Sequence, residues 1–181
     1  MFITLEGIEG SGKTTQIGRL VEFLEDRGIE CVTTRQPGGT RIGENIRSIL
    51  LDPANSALAP MTELLLYMAD RSQHIYELIR PCLQAGKKVI CDRYFDATVV
   101  YQGFARGLNI ELIQQLHQIL FDDLKPDVTL LLDLAPQVGL QRAWQQLNNG
   151  QRSGLESRFE AETVAFHEKV RAGYLELARL E

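Results

Sequence analysis

The stretch that decides the fold runs from residue 7 to residue 14 and reads Gly7-Ile8-Glu9-Gly10-Ser11-Gly12-Lys13-Thr14. It matches the pattern G-x-x-x-x-G-K-[ST] in full and lies between an apolar, strand-like run (2–6) and a helical pattern (13–27). Glycines let backbone N–H groups turn inward around phosphate oxygens, and the N-terminus of the next helix adds partial positive charge. The stretch therefore predicts a phosphate-binding loop; the alternative is a glycine-rich turn that binds no ligand.

A loop of this kind binds the phosphates of a nucleotide at residues 7–14, but by itself it does not separate kinases from switches and motors. Lys13 would reach the β- and γ-phosphates, and the hydroxyl of Thr14 would be a ligand to Mg²⁺.

Outward from the loop, short apolar runs alternate with longer helical patterns. The predicted strands are 2–6, 30–34, 88–92 and 128–132, and the predicted helices are 13–27, 42–51, 61–85, 109–122, one opened by Pro136, and 158–180. Nearly continuous apolar strands alternating with helices predict an α/β domain, 1–181, with a parallel sheet covered by helices on both faces. Ligands bind such sheets at the carboxyl ends of the strands, where we find Glu6-Gly7, Arg35, Asp92-Arg93 and Asp133.

Charge and composition exclude several classes of protein. The net charge of -5 argues against nucleic acid as the main partner, because phosphate backbones require a basic surface. No apolar run is long enough to span a bilayer, and no basic leader precedes Phe2, so we expect a cytoplasmic protein with no membrane partner. Cys31, Cys82 and Cys91 are expected to be reduced thiols, because they show no metal-binding spacing.

The rest of the chain narrows the class of nucleotide-binding protein. It has no Asn-Lys-x-Asp motif for guanine and is too short for a motor. A small-molecule kinase needs a second anion site beside the loop, and arginines near predicted strand ends offer one: Arg35, Arg47, Arg71 and Arg93.

Four further segments carry a family resemblance. They are Thr34-Arg35-Gln36-Pro37-Gly38-Gly39-Thr40, Ala69-Asp70-Arg71-Ser72-Gln73-His74, Asp92-Arg93-Tyr94 with Tyr101-Gln102-Gly103, and the run 126–133 with Gly139-Leu140 and Arg142-Ala143. In order and spacing they resemble the thymidylate kinase family over nearly the whole chain. Gly10 stands where one subgroup carries a basic residue, so the resemblance is to the bacterial type.

The resemblance implies a nucleoside monophosphate kinase of the P-loop fold, which transfers the γ-phosphate of ATP to dTMP with Mg²⁺ and gives dTDP and ADP. Its implied catalytic residues are Lys13, Asp92, Arg93 and Arg152, with Thr14 and Asp92 at the metal. Its implied acceptor-site residues are Glu9, Arg35, Tyr67, Arg71, Arg93, Thr98, Tyr101 and Gln102, and Arg142 would pack on the adenine of ATP.

Several of these positions also have plainer interpretations. Tyr67 shares a helix face with Arg71, but it also fits an apolar core. Asp92 and Arg93 could form a surface ion pair, Arg142 could be a solvated helix residue, and Asp133 could cap the helix opened by Pro136.

Residues 148–158 correspond to the family's lid. Gly150 and Gly154 flank Arg152, which makes it the candidate lid arginine; a solvated turn is the alternative.

The sequence also departs from the family pattern. Gln36 replaces a glutamate, Ala97 a serine and Ser157 an aspartate. The chain stops at Glu181, where the family usually continues, so we expect the fold to lack a last strand and helix. A nucleotide-binding protein without turnover, or a kinase for another base, is therefore an alternative. The apolar helices at 61–85 and 109–121 lead us to expect a homodimer.

Overall fold

A four-stranded parallel sheet forms the centre of the computed structural model, which describes residues 1–150 and 154–180. Its strands are β1 (Phe2–Glu6), β2 (Cys31–Arg35), β3 (Lys88–Asp92) and β4 (Val128–Leu131), in the spatial order β2-β3-β1-β4. The parallel α/β fold expected from the alternation of strands and helices is confirmed, and all four strands lie within one residue of their predicted limits.

Eight α-helices surround this sheet in the described part of the chain. They are α1 (Lys13–Glu25), α2 (Arg41–Leu51), α3 (Pro60–His74), α4 (Arg80–Gln84), α5 (Phe95–Thr98), α6 (Ile110–Phe121), α7 (Pro136–Asn148) and α8 (Val164–Leu180). Two wide π-helical segments, Ile75–Ile79 and Val99–Ala105, continue α3 and α5, and short 3₁₀ turns cover Pro53–Asn55 and Gly154–Glu156.

The core lies on both faces of the sheet because successive strand residues point to opposite sides. On one face, Phe2, Val89 and Cys91 pack in a cluster with residues of α3 and α6. On the other face, Ile3, Leu5 and Ile90 pack against apolar residues of α1. β1 is buried along its whole length, and the loop that follows it is therefore held on a rigid support.

The beginning of the last helix differs from the prediction. α8 begins at Val164 rather than at residue 158, because Thr163 accepts a hydrogen bond from the backbone N–H of Phe166 through its hydroxyl (3.2 Å) and so caps the helix. Residues 158–160 are buried and contact other elements instead: the backbone N–H of Arg158 donates to the carbonyl of Leu51.

The helical region at 95–105 was not predicted from the sequence. It carries Thr98, Tyr101 and Gln102, all buried. Its wide turn breaks the 3.6-residue period on which a helix prediction depends.

Among the described residues, no helix is both long enough and apolar enough to cross a membrane.

Candidate functional site

A cleft of about 1000 Å³ opens at the carboxyl ends of the strands. Its walls come from the phosphate-binding loop, the segment after β2, α3, the end of β3, the helical region 95–105 and α7. This volume is at the upper end of the range of single-ligand pockets. The cleft is therefore large enough for a nucleotide-sized ligand.

The phosphate-binding loop connects β1 to α1 as predicted. The Nζ of Lys13 is almost fully buried and donates to the backbone oxygens of Gly7 and Ile8, at 3.0 Å each. Burial and the nearby charge of Arg93 lower the pKa of Lys13 to about 8. Ser11 Oγ is buried and has no hydrogen-bond partner among the described residues, so the loop retains a polar atom suited to an incoming phosphate oxygen.

α7 contacts this loop at very short range. A Cβ atom placed on Gly10 would lie 2.1 Å from the backbone oxygen of Gly139, and one placed on Gly139 would lie 2.4 Å from the backbone oxygen of Glu9. Two glycines are required here because any side chain would push α7 away from the loop. The contact also explains why position 10 carries no basic residue.

Arg93 lies at the centre of the cleft with its backbone in the left-handed region (φ 68°). Its guanidinium donates to Glu9 Oε1 (2.9 Å) and to the hydroxyl of Tyr174 on α8 (3.0 Å). Its ion-pair partner is thus Glu9 of the loop, and the surface pair with Asp92 is not what the structure shows. Asp92 lines the same cleft.

Two buried carboxylates support Arg93. Glu6 accepts from the backbone N–H of Tyr94 and from the hydroxyl of Tyr174, both at 2.7 Å, and burial raises the pKa of Glu6. Glu9 accepts from the hydroxyl of Tyr101 at 2.6 Å. Burial would raise the pKa of Glu9, but Arg93 and His167 together hold it well below its usual range.

Arg71, on α3, is almost fully buried on the opposite wall. Its Nε donates to Gln36 Oε1 (2.7 Å), and its Nη2 donates to Thr98 Oγ1 (2.6 Å) and to the backbone oxygen of Tyr94 (3.0 Å). The only hydrogen-bond acceptor for its Nη1 among the described residues is the sulfur of Met68, at 3.8 Å, a weak acceptor. One strong donor of Arg71 therefore remains for a ligand.

Gln102 is likewise held by one hydrogen bond, which leaves its other polar group for a ligand. Its amide nitrogen donates to Glu63 Oε1 (2.7 Å), and this assignment leaves the amide oxygen as the group that accepts. Glu63 is itself fully buried and also pairs with Arg106 (3.3 Å) and Arg158 (2.7 Å).

The structure brings most of the other predicted residues to the same cleft. Tyr67 lines it and also packs on the apolar cluster around Phe159, so both interpretations of this residue are partly met. Arg142 lies on α7, is exposed and lines the cleft. Gly12, Thr14 and Arg35 also line the cleft, and Arg35 pairs with Glu44 at 3.8 Å. Arg152 lies outside the described residues.

Two residues predicted to bind the nucleotide do not line the cleft. Ile8 is buried with its side chain in an apolar cluster, and Gly7 does not line the cleft. Both contribute the carbonyl groups that accept from Lys13.

Asp133 does not cap the following helix. It forms a two-bond ion pair with Arg171 of α8, at 2.7 and 2.8 Å.

Sequence reasoning gave no role to four residues of the site: Glu6, which it placed only at a strand end, Glu63, His167 and Tyr174. Glu6 carried a usable signal, a carboxylate at the carboxyl end of a buried strand immediately before the loop. Glu63, His167 and Tyr174 meet the site only through tertiary packing.

Comparison with known proteins identifies the family. The family model described as thymidylate kinase matches residues 5–181. The chain is 60% identical over 181 residues to a thymidylate kinase of Desulfosudis oleivorans, covering all of this chain and 85% of that protein. It is 59% identical over 181 residues to one of Desulforapulum autotrophicum, covering 80% of that protein.

The chain belongs to the thymidylate kinase family. A crystal structure of thymidylate kinase from Ehrlichia chaffeensis superposes with a TM-score of 0.78 at 35% identity, covering 99% of this chain and 86% of that one. The resemblance seen in the sequence and the P-loop kinase fold are thereby confirmed.

Proposed function

We propose that this chain transfers the γ-phosphate of ATP to dTMP, giving dTDP and ADP, as its family name implies. The observation that carries the proposal is the two-sided cleft. The phosphate-binding loop forms one side, Arg71 and Gln102 present an oriented donor and acceptor on the other, and Arg93 lies between them.

ATP would bind with its phosphates in the loop of residues 7–14. The helix N-terminus, the backbone N–H groups and Lys13 attract its charge. Arg142, on the rim of the cleft, would pack on the adenine.

The oxygen groups of Thr14 and Asp92 fit Mg²⁺, which prefers hard oxygen ligands. Within residues 1–150 and 154–180 no group of three or more His, Cys, Asp and Glu side chains is placed to hold a metal ion. This suits Mg²⁺ bound mainly through nucleotide phosphates and water. When bound, the ion would neutralise negative charge on those phosphates.

The base of dTMP would lie against Arg71 and Gln102. Thymine presents an acceptor at O4 and a donor at N3, which complement Arg71 Nη1 and the amide oxygen of Gln102. Cytosine presents the opposite pattern, a donor at position 4 and an acceptor at N3. Each mismatched buried group costs roughly 1–3 kcal/mol. Thr98 would hold Arg71 in place, and Tyr67 and Tyr101 would form the walls.

Transfer needs alignment and charge neutralisation more than proton transfer. The acceptor phosphate is already ionised near neutral pH, so no general base is required. Arg93 would hold the acceptor and transferring phosphates, Glu9 and Arg35 would lie on the acceptor side, and Lys13 would stabilise the leaving oxygens. Arg152 of the lid would close over the phosphates and exclude water.

The test is ADP formation with dTMP, dUMP, CMP, dCMP and AMP offered separately. We expect kcat/KM for dTMP to exceed that for dCMP by at least about tenfold, the effect of one mismatched buried donor. Equal values for dTMP and dCMP would contradict the base-pocket assignment, and a preference for AMP would favour a kinase for another base.

We also propose that the protein is a homodimer. Large apolar side chains are exposed on α3, the wide turn after it and α6: Leu65 (54%), Tyr76 (81%), Leu112 (38%), Ile119 (76%) and Leu120 (53%). α3 and α6 pack against each other, and contiguous exposed apolar surface is typical of an interface.

A further inference from the structure

His167 is a buried histidine to which the proposed mechanism assigns no role. It lies on α8 with no exposure to solvent. Its Nε2 lies 2.9 Å from the backbone oxygen of Phe159, and its Nδ1 lies 3.2 Å from Glu9 Oε2.

Both neighbours are acceptors. A carbonyl oxygen has no proton to give, and Glu9 is held ionised because its other oxygen accepts from Arg93 and Tyr101. A neutral imidazole carries one N–H, so it would leave a lone pair facing either the carbonyl or the carboxylate. The 3.2 Å between Nδ1 and Glu9 Oε2 is an ion-pair distance, and neither atom has a hydrogen-bond partner of good geometry among the described residues. The doubly protonated ring is the state that this contact favours, because it places a positive charge beside the carboxylate and still donates to the carbonyl of Phe159.

The surrounding charges favour the same state. Glu9 faces His167 from the phosphate-binding loop, and Glu160 approaches from the segment before α8; Arg93 is the ion-pair partner of Glu9 on its other oxygen. Burial would lower the pKa of His167, but the nearby carboxylate of Glu9 outweighs it and raises the pKa.

The contact has a consequence for the site. Glu9 Oε1 is shared by Arg93 and Tyr101, both of which line the cleft, while Oε2 faces His167. A charged His167 fixes the carboxylate from the far side, and the carboxylate in turn fixes Arg93 and Tyr101. Loss of a proton would leave a neutral ring with no charge to attract Glu9, and that would weaken the constraint.

We propose that His167, as a buried imidazolium, is a positioning residue that holds Glu9, and through it Arg93 and Tyr101, in the geometry of the acceptor pocket. The same ring contacts the carbonyl of Phe159, in the segment after the lid, and Glu9 of the phosphate-binding loop, and so links the two segments. The effect on turnover rests on the proposed function, whereas the charge state of the ring does not.

The charge state is measured by NMR titration of the three histidine rings in the whole protein. Burial lowers the pKa of His74 and of His117 to about 4, so their signals should titrate at the acid end. The signal of His167 should titrate above the ordinary value of 6.5. Glu9→Gln should lower the pKa of His167 substantially, and Glu160→Gln should lower it less. Titration of His167 at or below 6.5, or no response to Glu9→Gln, would overturn the proposal.

The positioning role is measured by kinetics. His167→Asn should lower kcat/KM for dTMP about tenfold, because it removes the charge that holds Glu9, with the Kd for ATP unchanged. His117→Asn, at a buried ring that contacts no carboxylate in the described residues, is the matched control and should leave kcat/KM unchanged. In the wild type, kcat/KM should fall as pH rises through the pKa of His167, and this step should be absent in His167→Asn.

The same pH step in both proteins would contradict the positioning role. An inactive wild type would contradict the proposed function, and the titration would still decide the charge state.

Discussion

Hydrogen bonds to neighbouring groups fix the positions of the charged side chains in the cleft and leave some of their N–H groups for a ligand. Lys13 donates to two loop carbonyls, Arg93 to Glu9 and Tyr174, and Arg71 to three oxygens. Preorganised donors of this kind need little rearrangement as charge develops on a transferring phosphate. At this scale the chemistry depends on single side chains, and single substitutions test it.

Lys13→Ala is expected to abolish useful turnover. The ammonium group is the loop's only side-chain cation, and removing one such contact from a developing charge typically costs about 10²–10³ in kcat. The measurement is ADP formation by the purified variant at saturating ATP and dTMP. Near-normal turnover would show that residues 7–14 are not the site of phosphoryl transfer.

His117 gives a pH dependence of stability. Burial lowers its pKa in the folded state to about 4, below the ordinary 6.5. As pH falls, His117 is therefore protonated in the unfolded chain before it is protonated in the folded protein. Its contribution to the free energy of unfolding is fully present above about pH 6.5 and is lost as pH falls towards 4. His117→Asn should reduce the loss of unfolding free energy between pH 6.5 and pH 4 by on the order of 2 kcal/mol. Urea unfolding at the two pH values measures this, and an identical acid loss in both proteins would contradict it.

The role of a residue can be predicted from the sequence when its partners lie close to it along the chain. Lys13 and Thr14 belong to one contiguous motif whose geometry is fixed by its own glycines, so they can be assigned without a structure. Glu63 and His167 act through partners about 40 and 158 positions away, and no local pattern records such pairings. Arg71 is an intermediate case, because resemblance placed it in the pocket but only the structure shows which of its nitrogens is left for a ligand.

At the scale of elements, the packing of α7 on the phosphate-binding loop positions the triphosphate site. The close approach of Gly139 to the backbone of Glu9 links the helix that carries Arg142 to the loop that would hold the phosphates. The two halves of the proposed ATP site therefore meet where the backbones of Gly10 and Gly139 and the side chain of Ile8 come together.

Gly139→Ala should weaken ATP binding and destabilise the fold. The added methyl would lie 2.4 Å from a backbone oxygen, and overpacking of this kind costs typically 1–3 kcal/mol. Gly18→Ala is the matched control: it lies in α1 with nothing within 4 Å, so it should stabilise the protein slightly. Calorimetric Kd values for ATP and unfolding curves test the pair. Equal effects of the two substitutions would mean that the contact does not position α7.

Elements with a regular period were predicted well, and irregular ones were not. β3 follows an apolar pattern that its burial confirms, because Val89, Ile90 and Cys91 are buried. The wide turn at 99–105 and the non-helical segment 158–163 are determined by tertiary contacts, such as the pairing of Arg158 with Glu63, which outweigh local propensity.

At the scale of the whole molecule, the apolar face formed by α3 and α6 is the expected dimer interface. Ile119→Lys should shift the protein towards the monomer, because it places a charge at the most exposed apolar residue of α6. Ile42→Lys, on α2, makes the same change elsewhere. Sedimentation equilibrium should give twice the chain mass for the wild type and for Ile42→Lys, and a lower mass for Ile119→Lys. A monomeric wild type would contradict the homodimer.

The central claim is that the cleft holds ATP and dTMP together and transfers phosphate between them. The most direct measurement follows γ-labelled ATP incubated with the purified protein, Mg²⁺ and dTMP. We predict that the label appears in the β-phosphate of dTDP over many turnovers, with one ADP formed for each dTDP. Binding of ATP with no labelled dTDP, or release of the label only as inorganic phosphate, would contradict the claim.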